Sequence, residues 1–148
     1  MEVVKVTTWN HLKRILVLAE QYHKEIDVYD CTFPILAGEM ARMISSNKHV
    51  MYMVVDGTID IGYVVLYYGE DLVYSTLWLD TLYITKSHRG QGIIQKQIIP
   101  LVKHMVYSIG VKHLKYQATI PKEKWEHVTG MTVREERVMV IDNDQLKE

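Results

Sequence analysis

Apolar and polar residues alternate along the first third of the chain in patterns that predict one strand and two helices. Residues 3–7 are typical of a short strand, and Thr8 can cap the helix that follows. That helix carries apolar residues at helical spacing: Leu12, Ile15, Leu16 and Ala19. A second helix is predicted to begin near Pro34, a residue favoured in a first turn, and to end at residues 45–47. The polar segment between them, residues 22–32, is expected to be irregular.

The middle of the chain has the composition of β-strands. Residues 50–55 and 59–68 are rich in β-branched and aromatic side chains, and Asp56 and Gly57 between them are a strong hairpin signal. Residues 77–84 form a third run of the same kind. We therefore expect an antiparallel hairpin followed by a further strand.

Helical spacing returns after a loop that contains two glycines. The apolar face of this third helix is predicted to consist of Ile94, Ile98, Leu101, Met105 and Ile109. Pro100 lacks a backbone N–H, so a kink is expected there, and Gly110 is expected to end the helix. Residues 113–120 then predict a strand, 122–129 a short helix and 131–141 a final strand. This order of elements predicts a mixed α/β fold in a single domain, residues 1–148.

Composition limits the function classes. The 148 residues carry 17 Lys and Arg against 18 Asp and Glu, and the longest run without a charged side chain, residues 61–69, is too short to span a membrane. The only cysteine, Cys31, excludes an internal disulfide, and no signal-peptide pattern follows Met1. The sequence therefore predicts a cytoplasmic protein that does not enter membranes.

Charge is distributed unevenly along the chain. Residues 1–80 have six basic and eleven acidic side chains, residues 81–122 have seven basic and none acidic, and residues 123–148 have four and seven. The carboxylate-free stretch indicates either a site for an anionic ligand or chance. Because the total is close to neutral and the stretch lacks a pattern of exposed aromatics, no nucleic acid is expected as a partner.

The glycine loop lies within this basic stretch. Gly90 and Gly92 allow a tight turn, and the helix that follows presents its unpaired amides and positive dipole end above the loop. Four basic side chains flank the turn: Lys86, His88, Arg89 and Lys96. The spacing fits neither a P-loop nor the dinucleotide fingerprint. A tight turn and an anion site both remain compatible with a lone Gly-x-Gly.

Residues 79–93, read as LDTLYITKSHRGQGI, resemble the pyrophosphate-binding motif and preceding strand of the GNAT superfamily of acyl-CoA-dependent N-acyltransferases. The order of elements is also similar, including the hairpin around Gly62 and a closing helix followed by Gly130. The compact length resembles small members that bacteriophages encode. The resemblance implies a GNAT-type fold: a mixed central sheet with helices on both faces and a V-shaped splay between two parallel strands, residues 77–84 and 113–120.

The resemblance further implies acetyl-CoA as co-substrate and a primary amine as acceptor, which attacks the thioester directly. Backbone groups of Leu82 and Ile84 would pair with pantetheine, and amides from Arg89 to Ile94 would hold the pyrophosphate. Arg89 is favoured as a phosphate ligand over a plain surface residue. The implied cofactor-binding residues are Leu82, Tyr83, Ile84, Arg89, Gly90, Gln91, Gly92, Ile93, Ile94 and Thr119. Ile94 stands where the family usually has Gly or Ala, and Thr119 stands where Asn is frequent.

Catalytic residues are less well defined by the resemblance. Asp80 is a candidate general base, and a strand-end Asp that faces solvent is the equally weighted alternative. The family's proton-donating Tyr would lie four residues before Gly130, where this chain has Glu126. An ionised Glu donates no proton, so either Glu126 is protonated in the native protein, or His127, Tyr116 or water protonates the thiolate.

Residues 22–32 match the position of the family's acceptor groove, and their acidic and aromatic side chains would suit a cationic amine. A solvated loop is the alternative. A second hypothesis for the whole protein is a GNAT-fold module that binds acyl-CoA or a protein partner without turnover. The seven histidines have no metal-ligand spacing, so no metal is expected. A homodimer is compatible with these features.

Overall fold

A computed structural model describes residues 1–26, 33–70, 75–116, 121–136 and 139, with side chains left out at 33–36 and 70. The chain divides into two compact units, residues 1–117 and 118–148. The first contains β1 (Glu2–Lys5), α1 (Trp9–Glu25), α2 (Phe33–Ser45), β2 (His49–Asp56), β3 (Ile59–Glu70), β4 (Ser75–Ile84), a 3-10 turn (Lys86–His88), a π-helical turn (Ile94–Ile98), α3 (Ile99–Ile109) and β5 (His113–Tyr116). The second contains α4 (Lys122–Thr129).

The five strands form one mixed sheet in the order β1-β2-β3-β4-β5. Strands β1 to β4 pair antiparallel, and β5 lies parallel to β4. The predicted hairpin is confirmed, with Gly57 at a φ of 61° in its turn. Pairing of β4 with β5 extends from Thr76–His113 to Leu79–Tyr116. Residues 117–120, where the strand was predicted to continue, lie outside the described part, so the splay stays a prediction.

Helices cover both faces of the sheet. Alternate strand residues, among them Met53, Val65 and Tyr83, pack against α1 and α2 in one buried cluster. The intervening residues, such as Val54, Val64 and Leu79, are also buried but lie outside that cluster. They belong to the opposite face, as do the buried residues of the π turn and α3.

Helix α1 begins as predicted and ends later. The Thr8 side chain accepts a hydrogen bond from the His11 N–H at 3.2 Å, which confirms the cap. The prediction that residues 22–32 are irregular is wrong for its first four, because α1 continues through Glu25. Tyr22 packs on the core, and His23 and Lys24 complement the negative end of the helix dipole. Residues 27–32, including Cys31, lie outside the described residues.

The kink expected at Pro100 is replaced by the π turn directly before it. The Ile99 N–H donates to the Ile94 carbonyl five residues back, so an extra residue enters the turn where Pro100 cannot donate. This shifts the apolar face: Ile93, Ile98, Ile99 and Val102 are buried, whereas Ile109 is 48% exposed. The predicted face is therefore wrong at Ile109, is confirmed at Ile98, and is only partly buried at Ile94, Leu101 and Met105.

In the second unit, α4 has its predicted bounds, and Gly130 ends it at a φ of 64°. Residues 131–136 contain no strand, which corrects the first part of the prediction for 131–141. Except for Met139, the rest of that segment lies outside the described residues.

Candidate active site

Strand β4 contains a bulge at Asp80. Thr81 pairs with Val65 and Leu79 pairs with Leu66, so Asp80 has no opposite residue on β3. Its side chain is exposed. Asp80 directly follows Leu79, the last β4 residue that pairs with β5 in the described chain. The predicted base therefore lies where the ladder with β3 is interrupted and where the described pairing with β5 ends.

Beyond the bulge, β4 presents backbone groups toward the β5 side. The Thr85 N–H donates to the Ile61 carbonyl at 2.9 Å, so Thr85 and Tyr83 face β3. Leu82 and Ile84 alternate with them and face the opposite edge. The Ile84 carbonyl accepts a hydrogen bond from Arg89 Nε at 2.8 Å. Among the described residues, no partner is found for the Leu82 amide and carbonyl or for the Ile84 amide, so these groups could bind an extended ligand.

The glycine loop holds a row of amides at the start of the π turn. Gly90 and Gly92 have φ values of 78° and 73°, a left-handed conformation that favours glycine. The backbone N–H groups of residues 90–94 donate to no acceptor within the part of the chain that the structure describes. Such a row, together with the helix dipole, is a binding geometry for phosphate.

The loop is fixed by its own side chains. His88 Nδ1 lies 2.9 Å from Thr85 Oγ1 and 3.0 Å from Ser87 Oγ. The Gln91 side chain donates to the Ser87 carbonyl at 3.3 Å. His88 and Gln91 therefore hold the turn together, and the side chain of Lys96 lies beside Gly92.

Arg89 belongs to a cluster that the sequence did not reveal. Its Nη2 donates to Glu25 Oε2 at 2.6 Å, and Tyr83 Oη donates to Glu25 Oε1 at 2.8 Å. The Arg89 guanidinium lies 5.7 Å from the centre of the Tyr83 ring. We call Glu25, Tyr83 and Arg89 the brace. Glu25 lies 58 and 64 residues from its partners, and no local pattern links it to them.

Electrostatics within the brace favour the ionised carboxylate and the neutral phenol. The hydrogen bond from Arg89 lowers the pKa of Glu25 despite partial burial, with smaller contributions from Tyr83 and Lys86. Burial, followed by the Glu25 hydrogen bond and charge, raises the pKa of Tyr83 to about 12. At neutral pH the brace is a carboxylate held by one cation and one neutral hydroxyl.

The remaining predicted residues belong to the second unit or lie outside the described residues. Thr119 lies outside the described residues. Within the second unit, Glu126 Oε2 accepts from the Val133 N–H at 3.3 Å and Oε1 lies 4.0 Å from Lys122 Nζ, while His127 is exposed. The described residues contain no group of three potential metal ligands. No helix among them is long and apolar enough to cross a membrane.

Comparison with proteins of known structure identifies the fold. No protein-family model matches the sequence, and no curated protein matches it. An integron cassette protein from the mobile metagenome of a salt marsh aligns with 96% of this chain and 90% of its own at 14% identity, with a TM-score of 0.82. An aminoglycoside acetyltransferase from an uncultured soil metagenomic sample, in complex with sisomicin, aligns with 96% of this chain and 95% of its own, at 14% identity and a TM-score of 0.78.

An aminoglycoside N-acetyltransferase in complex with CoA aligns at 12% identity over 96% of this chain and 93% of its own, with a TM-score of 0.74. The chain has the GNAT acyltransferase fold. In this GNAT fold, β4 and the loop after it contain the residues that resemble the family's pyrophosphate-binding motif. At these identities the likeness extends to the fold and not to an acceptor.

Proposed function

We propose that this protein is an N-acetyltransferase that transfers acetyl from acetyl-CoA to a primary amine by direct attack in a ternary complex. One observation carries the proposal: the amides of residues 90–94, in the loop after β4 of a GNAT fold, form a row without hydrogen-bond partners among the described residues. Acetyl-CoA is an anionic thioester whose pyrophosphate suits such a row.

Binding of acetyl-CoA would use the loop and the edge of β4 beyond Leu79, the last residue of β4 that pairs with the described part of β5. The pyrophosphate would lie on the amides from Gly90 to Ile94, with Arg89 and Lys96 beside it. Pantetheine would pair with Leu82 and with the Ile84 amide, because the Ile84 carbonyl is occupied by Arg89. Ile94 carries a larger side chain than the Gly or Ala usual there, and that residue is partly buried. Thr119 remains a proposed contact.

In the chemical step, the amine nitrogen attacks the thioester carbonyl. A C–N bond forms, the C–S bond breaks, and CoA leaves as a thiolate. Asp80, directly or through a water molecule, is our candidate to take the proton that the amine loses. Its exposure at the bulge supports that role, because an incoming amine can reach the carboxylate.

The thiolate must gain a proton. Glu126 and His127 are proposed donors, with Tyr116 or water as alternatives. The hydrogen bond from the Val133 N–H engages Glu126 as an acceptor, which favours His127 or water over Glu126. The same observation favours the second candidate function, a module that binds acyl-CoA or a protein partner without turnover.

The acceptor is proposed to be a cationic small-molecule amine. Residues 1–80 have a formal net charge of −5, which would attract a cation. Two of the structural neighbours described above are named as aminoglycoside acetyltransferases. Aminoglycosides are polyamines, so they are the first class to test.

Thermal unfolding with and without acetyl-CoA tests binding. Saturating acetyl-CoA should raise the unfolding midpoint, because a ligand of the native state stabilises it by mass action. Arg89→Glu should abolish the shift. Arg14→Glu, which reverses a charge in another carboxylate pair, should retain it. An unchanged midpoint in the wild type would contradict both the enzyme and a module that binds acyl-CoA.

Thiol release in the presence of an amine panel separates those functions. Aminoglycosides, linear polyamines and simple monoamines should be compared, and amine-dependent release is expected from an enzyme. Asp80→Asn should lower kcat by about 100-fold if the carboxylate is the base, with binding of acetyl-CoA unchanged. Binding without release across the panel would favour the module.

A further inference from the structure

We propose that Glu25 is a positioning residue for acetyl-CoA binding: through the brace it holds the glycine loop in its phosphate-binding conformation. This inference rests on the proposed function and concerns a residue at the end of α1 that touches none of the amides. It assigns Glu25 a role in binding the cofactor even though its charge is the same sign as the phosphates.

Both ends of the brace are anchored. Tyr83 is 3% exposed, and its ring packs against Tyr22 and Tyr63 at centroid distances of 5.4 and 6.1 Å. The Tyr83 hydroxyl therefore fixes one Glu25 oxygen from a rigid position in the core. The second oxygen is left to orient Arg89.

Arg89 is fixed by two different partners. Nε donates to the Ile84 carbonyl and Nη2 to Glu25, so the planar guanidinium is held in one orientation. Gly90 follows directly, and the amide row begins there. Immobilising Arg89 consequently fixes the entry to a loop whose two glycines would otherwise allow many conformations.

The arrangement is compatible with a phosphate ligand. Neither bond uses Nη1, and the Arg89 side chain is 47% exposed. Arg89 can therefore donate from Nη1 to phosphate while Glu25 retains Nη2. An alternative is that Glu25 competes with phosphate for Arg89. Removing the Glu25 charge would then strengthen acetyl-CoA binding, whereas a positioning role predicts weaker binding.

The chain offers a matched control. Arg14 of α1 and Asp60 of β3 form a second arginine–carboxylate pair, joined by two hydrogen bonds where Arg89 and Glu25 share one, and the side-chain exposures are 43% and 21% against 47% and 21% for Arg89 and Glu25. Glu25→Gln and Asp60→Asn each remove the carboxylate charge from a pair that has one member on α1. Only the first pair contacts the loop.

The decisive measurement is the Kd for acetyl-CoA by titration calorimetry. Glu25→Gln should raise Kd about tenfold, the scale of one lost charge-assisted contact, whereas Asp60→Asn should leave it unchanged. KM for S-acetylpantetheine, which lacks the nucleotide phosphates, should not respond to Glu25→Gln. Equal or tighter binding of acetyl-CoA by Glu25→Gln would overturn the proposal.

A second variant and a second measurement test the same proposal independently of the calorimetry on Glu25→Gln. Arg89→Lys retains the charge but cannot hold both Ile84 and Glu25, so it should also weaken binding. Limited tryptic digestion should cleave the loop faster in Glu25→Gln than in Asp60→Asn. If the wild type binds no acetyl-CoA, the proposed function fails, and equal cleavage rates would then reject the brace as well.

Discussion

Gly62 shows how one residue sets the spacing between β3 and β4. A Cβ built on it would lie 2.5 Å from the Tyr83 carbonyl oxygen and 2.6 Å from Ile84 Cδ1, far closer than van der Waals contact. Since the oxygen belongs to backbone, a side chain there must push the two strands apart. The end of β4 and the glycine loop depend on this contact.

Gly62→Ala should therefore destabilise the protein by about 2 kcal/mol. The matched control is Gly38→Ala on an exposed position of α2, where a Cβ meets nothing within 4 Å and removal of a helical glycine should stabilise by about 0.5–1 kcal/mol. Denaturant unfolding of both variants measures the difference. If both variants change the free energy of unfolding in the same direction and by similar amounts, the protein accommodates the new Cβ at position 62 at little cost in stability.

Tyr83 should be among the last tyrosines to ionise. Its pKa is raised to about 12 from an ordinary value of about 10, so the native state holds the proton more tightly than the unfolded chain. The resulting stability is present below pH about 10 and is lost as pH rises toward about 12. Ultraviolet titration should detect tyrosinate formation near pH 12 in the wild type that is missing in Tyr83→Phe.

Glu25→Gln serves as the control for that titration. It should move the pKa of Tyr83 only part of the way back, because burial is the largest cause of the shift. A return to the ordinary value would assign the shift to Glu25 alone.

At the scale of elements, the glycine loop joins β4 to the π turn through two left-handed residues. Gly92 has a φ of 73°, and a Cβ there would lie 3.4 Å from Lys96 Cε. Any other residue is strained at this φ and must displace the loop or the lysine. The amide row would then change its geometry.

Gly92→Ala is expected to weaken binding of acetyl-CoA by about tenfold or more, through the strain of a non-glycine residue at positive φ. Gly57→Ala in the hairpin turn, at a φ of 61°, imposes similar strain away from the loop. Unfolding experiments should give similar losses for both variants, and calorimetry should find lost affinity only for Gly92→Ala. Equal affinities would argue against the amide row as the phosphate site.

Elements defined by local chemistry were predictable from sequence, and those defined by tertiary contacts were not. The Thr8 cap, the Asp56-Gly57 turn and the bounds of α4 follow from neighbouring residues. The π turn does not, because the missing donor of Pro100 can be absorbed by a kink or by an extra residue with the same sequence pattern. The bulge at Asp80 and the partners of Glu25 depend on residues far away in the chain.

At the scale of the whole molecule, charge is segregated although its sum is −1. The carboxylate-free stretch, residues 81–122, includes the end of β4, the glycine loop, the π turn and α3. Among the residues that the structure describes, the one acidic side chain bonded to the loop, Glu25, comes from α1. An anion approaching the loop therefore meets a local positive field that the net charge conceals.

Affinity for acetyl-CoA should consequently fall as salt rises, because exposed charges are screened beyond about 10 Å at an ionic strength of 0.1 M. S-acetylpantetheine, without nucleotide phosphates, should bind with little salt dependence. Titrations of both ligands over a range of NaCl concentrations test this. If the affinities of acetyl-CoA and S-acetylpantetheine fell equally with salt, the protein charges that favour binding would not act on the nucleotide phosphates.

The bulge at Asp80 also marks a place where this protein can change length during evolution. Before the bulge, Leu77 and Leu79 point away from α1, and after it Tyr83 points toward α1, because the extra residue offsets the alternation by one position. Loss of the Asp80 codon would leave Leu79 and Thr81 adjacent and opposite Leu66 and Val65, so the strand would become regular and Tyr83 would still face α1 and Glu25. Descendants can therefore lose the candidate base together with the extra residue and still keep the brace.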